Sequence, residues 1–210
     1  MRNTLKTSLA AMSFMVMTLS AIAQDNRPAQ ADASLAVPEI NTRPGAKYQE
    51  RNLDYGMTIG IEQTPKGRIW CCWVGGGDDE RAYFLLSYSD DGGWTWSKTK
   101  TVIDPHDKKL GQARRTIAGT LWTDPQGRLW LFFDQSMTYF DGRNGDWYTI
   151  CENPDSNRPV WSEPKRIWHG CTLNKPVVLS NGDWMLPVSL WGRDLIKDPS
   201  RKDAPPSPYK

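Results

Sequence analysis

Three short sets of charged and polar residues recur at matched points of an otherwise apolar pattern, and they are where chemistry would sit. Gly67, Gly127 and Gly182 each mark a turn between an apolar strand and a second strand rich in Trp, Phe, Val or Ile. Measured from these glycines, the residues leading into the first strand are Asp54 and Tyr55, then Arg114 and Arg115, then Asn174 and Lys175. The residues leaving the second strand are Gly75 to Asp79, then Asp134-Gln135-Ser136, then Trp191-Gly192-Arg193. A hairpin begins and ends at the same end, so side-by-side hairpins gather all of these at one mouth. An Arg grips a carboxylate with two parallel hydrogen bonds, and a carboxylic acid in a partly desolvated site can protonate a glycosidic oxygen. Arg114, Arg115, Asp134, Asn174, Lys175 and Arg193 are the candidate substrate-binding residues. Asp54, Asp78 and Asp79 are the candidate catalytic acids, with Asp134 a further one. Taken singly, each is as well read as a solvated loop charge or a strand-end ion pair.

The elements that would position them are repeats. Gln63-Thr64-Pro65-Lys66-Gly67-Arg68-Ile69-Trp70 is echoed by Thr123-Asp124-Pro125-Gln126-Gly127-Arg128-Leu129-Trp130, and more weakly by Leu179-Ser180-Asn181-Gly182-Asp183-Trp184-Met185. Each predicts an inner hairpin, and the glycines stand 60 and 55 residues apart, a spacing that suits one four-stranded unit with its loops. Outer strands are expected at Ala82 to Ser89 and at Thr101-Val102-Ile103. In the second unit they are expected at Trp147 to Cys151, Val160-Trp161-Ser162 and Arg166-Ile167-Trp168. The pattern predicts an all-β chain with two full units and the inner hairpin of a third.

Between the outer strands of the first unit lies Ser89-Asp90-Asp91-Gly92-Gly93-Trp94-Thr95-Trp96. It fits S-x-D-x-G-x-T-W at every fixed position. Asp91 is expected to bind N–H groups of its own turn, Gly93 to supply a permissive backbone, and Thr95 and Trp96 to restart a strand. The box is a folding device, so it argues for architecture and not for activity.

The box, the repeated G-R-[IL]-W hairpins and the signal-peptide pattern of residues 1–23 together resemble the sialidase-like (BNR/Asp-box) β-propeller superfamily, the similarity covering roughly residues 48–193. The resemblance implies a six-bladed ring, of which about two and a half blades are present here. At this repeat length a full ring needs well over ~300 residues, and 187 remain after residue 23 of the 210. A piece of a longer chain, or units that close a ring by association, would account for the count. An unpaired sheet edge favours the first. Family members include exo-α-sialidases, which use three Arg residues for the sialate carboxylate, an Asp acid/base and a Tyr–Glu nucleophile pair. The first family Arg would fall at Met57 within Tyr55-Gly56-Met57-Thr58-Ile59, and no Arg is there. The family acid falls near Asp78 and Asp79. The resemblance therefore implies an exo-acting glycan enzyme with a rebuilt pocket, for a terminal sugar that is a uronate or another acidic or neutral sugar. A non-catalytic carbohydrate-binding propeller or an inactive fragment is the alternative.

Arg2 and Lys6, the apolar run from Leu9 to Leu19 and Ala21-Ile22-Ala23 read as a signal peptide over residues 1–23, cut after Ala23, and predict a periplasmic or secreted protein. Residues 24–47 read as a flexible leader, and residues 194–210 as a polar, Pro-rich tail. No run approaches a membrane span. Net charge is +2 with no dense basic run, which excludes a nucleic-acid footprint. Two lone His residues and no C-x-x-C spacing give no metal site, and no cofactor is expected. Eleven Trp suit a glycan partner, because indole faces stack on sugar C–H faces. Of the four Cys, Cys71 and Cys72 should face opposite ways on their strand, and Cys151 and Cys171 are a candidate pair.

Overall fold

Runs of alternating apolar residues between Gly turns form the strands, as their period of two requires. A computed structural model describes residues 33–137 and 144–190, all within one compact unit, Ala31–Lys210. The first blade is an antiparallel sheet of β1 (Met57–Gln63), β2 (Ile69–Gly75), β3 (Tyr83–Ser89) and β4 (Thr101–Ile103), in that order. The second blade contains β5 (Arg114–Arg115), β6 (Gly119–Thr123), β7 (Leu129–Met137), β8 (Gly145–Cys151) and β9 (Lys165–His169). In it β7 pairs with β5, β6 and β8, and β8 with β9. A third hairpin joins β10 (Val177–Val178) to β11 (Trp184–Met185) and is extended by a bridge from Cys171 to Ser189. Val160-Trp161-Ser162, expected as a strand, makes only an isolated bridge from Trp161 to Cys151. The preceding turn holds Val160 through the Asn153 side chain instead.

The repeated glycines turn the inner hairpins with φ of +94°, +80° and +88° at Gly67, Gly127 and Gly182, a region side chains other than Gly rarely enter. Alternation gives each sheet two faces. In the first blade Trp70, Cys72, Val74, Phe84 and Leu86 are fully buried, and with Leu121, Leu131 and Phe133 of the second blade they form one core. The inner strands meet closely at Gly60, where a Cβ would lie 3.3 Å from the Leu121 nitrogen. Cys71 faces away from Cys72, as expected, and all four cysteines are free thiols. Cys151 and Cys171 therefore form no disulfide in this structure.

Polar contacts fix one blade against the next at the outer end. Arg68 is 6 % exposed and stacks 3.7 Å from the centre of the Tyr88 ring. Its guanidinium donates to both oxygens of Asp90, at 2.7 and 2.9 Å, and to the Pro154 and Ser156 carbonyls of the second blade. Thr64 donates to Asp155 at 2.5 Å, and the Trp70 indole N–H donates to Pro154 at 3.1 Å. Beside them the Asp91 turn of the box folds as predicted, but Thr95 and Trp96 do not restart a strand, and the next one, β4, begins only at Thr101. Thr95 donates its N–H and hydroxyl to Asp91, and these bonds hold the Asp91 carboxyl down to about 2.

Part of the expected flexible leader is built into the fold. The carbonyls of Ser34 and Ala36 accept from the buried Gln135 amide, Ala33 accepts from Arg114, and Asn41 exchanges both backbone hydrogen bonds with Val102. Nearby, Asp104 accepts from the Tyr48 hydroxyl at 2.5 Å and lies 2.6 Å from His106 Nδ1. Burial alone would raise the Asp104 carboxyl, but these hydrogen bonds outweigh it and hold it down to about 2. The signal-peptide residues and the 194–210 tail lie outside the described residues.

Arg68→Ala removes a five-donor fork from a buried junction and leaves two carbonyls without their partner. It should cost about 2–4 kcal/mol in urea unfolding. Arg68→Lys should recover little of that, since an ammonium cannot reproduce the fork.

Candidate functional site

The mouth end of the second blade carries the densest buried polar cluster among the described residues. It is organised by Asp134 near the end of β7. One Asp134 oxygen accepts from the Ile117 and Ala118 N–H groups at 2.7 and 2.8 Å. The other accepts from Arg115 at 2.5 Å, and both side chains are 0 % exposed. The Asp134 backbone exchanges further bonds with Thr116 and Ala118. This carboxylate thereby fixes how the chain enters the innermost strand.

Directly across the sheet stands Asp146, the register partner of Asp134 and itself 0 % exposed. The first blade has Val74 opposite Phe84 at the same place. An apolar pair has thus been replaced by two carboxyls. Burial pushes the Asp146 carboxyl up to about 7, against the Thr172 hydrogen bonds, and the charge of Asp134 adds to the rise. The Thr172 hydroxyl lies 2.8 Å from the Pro187 carbonyl and 3.1 Å from Asp146 Oδ2. It has one proton and Pro187 can only accept. With that proton on Pro187, the Asp146 carboxyl must be the donor, which fits its protonated form. Asp146 Oδ1 is buried with no hydrogen-bond partner.

The flanking residues add further polar groups. Both side-chain atoms of Asn144, the Gln135 carbonyl oxygen and the Trp147 indole nitrogen are buried without partners. Such a concentration at one strand end is uncommon in a folded interior and marks this end as the candidate site. The Arg166 guanidinium lies close against Gly145, where a Cβ would sit 2.6 Å from its Nε. Its Nη2 is 3.2 Å from His169 Nδ1. Since Arg only donates, that ring nitrogen accepts, which places the imidazole proton on Nε2.

The residues expected from sequence are distributed over several environments. Arg115 and Asp134 meet in the buried pair. Arg114 donates to the Pro105 and Ala33 carbonyls. Asp79 is tied to Arg81 at 2.8 Å, and hydrogen bonds from Arg81 hold its carboxyl below the usual range. Asp54 is exposed beside a cleft on the far side of the first blade, and Asp78 is exposed on the exit loop. Lys175 pairs with Glu62, and Asn174 is exposed. Arg193 lies outside the described residues. Asp146, Asn144, Arg166, His169 and Thr172 were not anticipated. The available signal was Gly145-Asp146-Trp147, where a carboxylate interrupts the apolar start of a strand whose counterpart begins Tyr83-Phe84-Leu85.

A family model described as a BNR repeat-like domain matches residues 67–200. The chain belongs to that family. The match begins at the first turn glycine, just after β1, and takes in the rest of the first blade, the second blade and the third hairpin, so this BNR repeat-like chain has the architecture of a partial sialidase-like propeller. No curated protein matches the chain. Among the described residues no helix is long and apolar enough to cross a membrane, and no group of three or more His, Cys, Asp or Glu is placed to hold a metal ion.

The buried Asp146 gives a pH signature with a definite sign. An acid raised in the folded state is protonated there while the unfolded chain has already lost its proton. Its contribution is therefore full below the unfolded value near ~4 and is lost as pH rises toward about 7. The loss amounts to at most about 4 kcal/mol. Asp146→Asn should flatten this part of the profile. Comparing wild-type and variant urea curves between pH 4 and pH 8 checks it, and parallel curves would remove the assignment.

Proposed function

We propose that this chain is an exported glycan-degrading protein of the sialidase-like superfamily, an exo-glycosidase that acts on a terminal sugar, with an acidic sugar the first class to test. The reading rests on one observation: two carboxyls face each other at the mouth of the second blade, and one of them is held protonated near neutral pH. A glycosidase needs a carboxylic acid that still carries its proton at working pH to protonate the leaving oxygen. Asp146 has that character. Asp134 is saturated by Arg115 and two backbone N–H groups, so it acts as a positioning residue whose charge keeps the Asp146 proton in place. Arg166, Asn144 and the His169 Nε2–H supply donors for sugar hydroxyl or carboxylate oxygens. Export is supported by the leader pattern of residues 1–23, and a glycan partner by family membership and the Trp-rich composition.

Purified chain should release the chromophore from at least one member of a panel of aryl glycosides that includes sialoside and uronide. Asp146→Asn should lower kcat/KM by ~100-fold or more while unfolding at no lower urea concentration than wild type. Loss of activity in a variant that is equally or more stable separates chemistry from folding. Saturable glycan binding with no turnover would replace the enzyme reading with a carbohydrate-binding one. Full activity in Asp146→Asn would remove Asp146 from the mechanism.

A further inference from the structure

The hydrogen-bond partner of the Asp146 side chain comes from outside its own blade. It is Thr172, in the run that leads from β9 into the third hairpin, and both residues are 0 % exposed. Gly170 makes the approach possible. Its N–H donates to the Asn144 carbonyl at 2.8 Å, and with φ of +93° it passes so close to the returning strand that a Cβ would overlap the Ser189 carbonyl oxygen. Cys171 and Ser189 then exchange both backbone hydrogen bonds, at 3.0 and 2.9 Å. That pairing sets the Pro187 carbonyl against the Thr172 hydroxyl.

One hydroxyl thus stands 2.8 Å from a carbonyl and 3.1 Å from a carboxyl oxygen, and only a turn of its O–H bond separates two uses. While Asp146 keeps its proton, the Thr172 proton belongs to Pro187 and Thr172 accepts from Asp146. A charged Asp146 reverses the choice. A hydrogen bond to a charged acceptor is roughly twice as strong as one between neutral groups, so the hydroxyl leaves Pro187 for the carboxylate. The other influences on Asp146 do not change hands in this way. Burial is the largest and favours the acid; Asp134 on β7 also favours the acid, and Arg166 on β9 favours the anion. Cys171, beside Thr172, has its thiol raised by burial and by the same two carboxyls, so it stays neutral.

We propose that Thr172 is the positioning residue of this acid: its hydroxyl accepts the Asp146 proton in the resting site and turns to donate to the carboxylate once that proton has left. The step it serves is a proton transfer. The Asp146 Oδ2–H bond breaks, an O–H bond forms on the glycosidic oxygen, and the electron pair of the broken bond stays on Asp146. The charge that develops on a second-blade residue is thereby met by a donor from the third unit, already in place and needing only to rotate. The catalytic role rests on reading Asp146 as the glycosidase acid; the two-way hydrogen bond does not.

The full chain, isotope-labelled at the Asp side-chain carboxyl carbon and titrated by NMR, reads the Asp146 midpoint, with Asp146→Asn assigning the signal. Wild type should titrate at about 7. Thr172→Val keeps the backbone N–H and nearly the same shape but has no hydroxyl. The carboxylate then loses its donor, and the midpoint should rise by ~1 pH unit or more. Thr172→Ser should return it to the wild-type value. Thr172→Ala tests the same loss in a smaller side chain, and near-UV circular dichroism identifies which variants are folded. On an aryl glycoside that the chain turns over, Thr172→Val should lower kcat by ~10-fold with KM little changed, and the alkaline limb should move up with the carboxyl midpoint. A midpoint that stays or falls in a folded Thr172→Val or Thr172→Ala chain overturns the proposal, whatever the activity. A midpoint that rises while no glycoside is turned over upholds the two-way hydrogen bond and removes only the glycosidase reading.

Discussion

The buried pair of Arg115 and Asp134 is the constraint on which the second blade, and the polar site beside it, depend. An isolated carboxylate in that position would be prohibitively costly, and it persists because Arg115 and two backbone N–H groups satisfy it. The same bonds that neutralise it also tie the lead-in of β6 to the end of β7, so one side chain sets both the local backbone path and the local field. Asp146 feels that field. Remove Asp134 and the innermost strand loses its fixed start, while Asp146 loses the neighbour that adds to its retention of a proton.

A different physics governs the opposite end. There Arg68 joins the turn after β3 to the turn after β8 through carbonyls, a carboxylate and an aromatic face. Between these polar ends lies a continuous apolar core shared by the two sheets. Blades are thus held by non-directional burial in the middle and by directional bonds at both rims. The rims fix the angle, and the core supplies most of the stabilisation. Among the described residues, buried polar side-chain atoms left unmet lie at the mouth end, at Asp146, Asn144, Gln135 and Trp147. The outer rim has spent its donors on structure; the mouth has donors and acceptors left over.

Buried carboxyls of this kind weaken a fold at neutral pH, which gives a reason to look for function where they occur. In the first blade the Val74–Phe84 pair supplies packing at the same register position. The second blade gives up that packing for Asp134 and Asp146. Two carboxyls facing each other in the buried part of a sheet break the local rules of strand composition, and departures of that sort gather at sites.

The sequence alone determined the strands, the turns and the repeat, because these depend on local alternation and on glycines that can adopt positive φ. It also determined the box turn, whose bonds all fall within a few residues of one another. Only the tertiary structure decided which of the charged residues meet. Arg115 and Asp134 are a buried ion pair, and Asp146 acquires its proton affinity from burial and from a carboxylate across the sheet. Register between distant strands sets those encounters, and no window of neighbouring residues contains it. The same holds for residues 33–41, whose composition reads as a leader and whose carbonyls are captured by Arg114 and Gln135 from about a hundred residues away or less. Such a bond depends on a backbone oxygen, which every residue carries, so side-chain identity could not announce it.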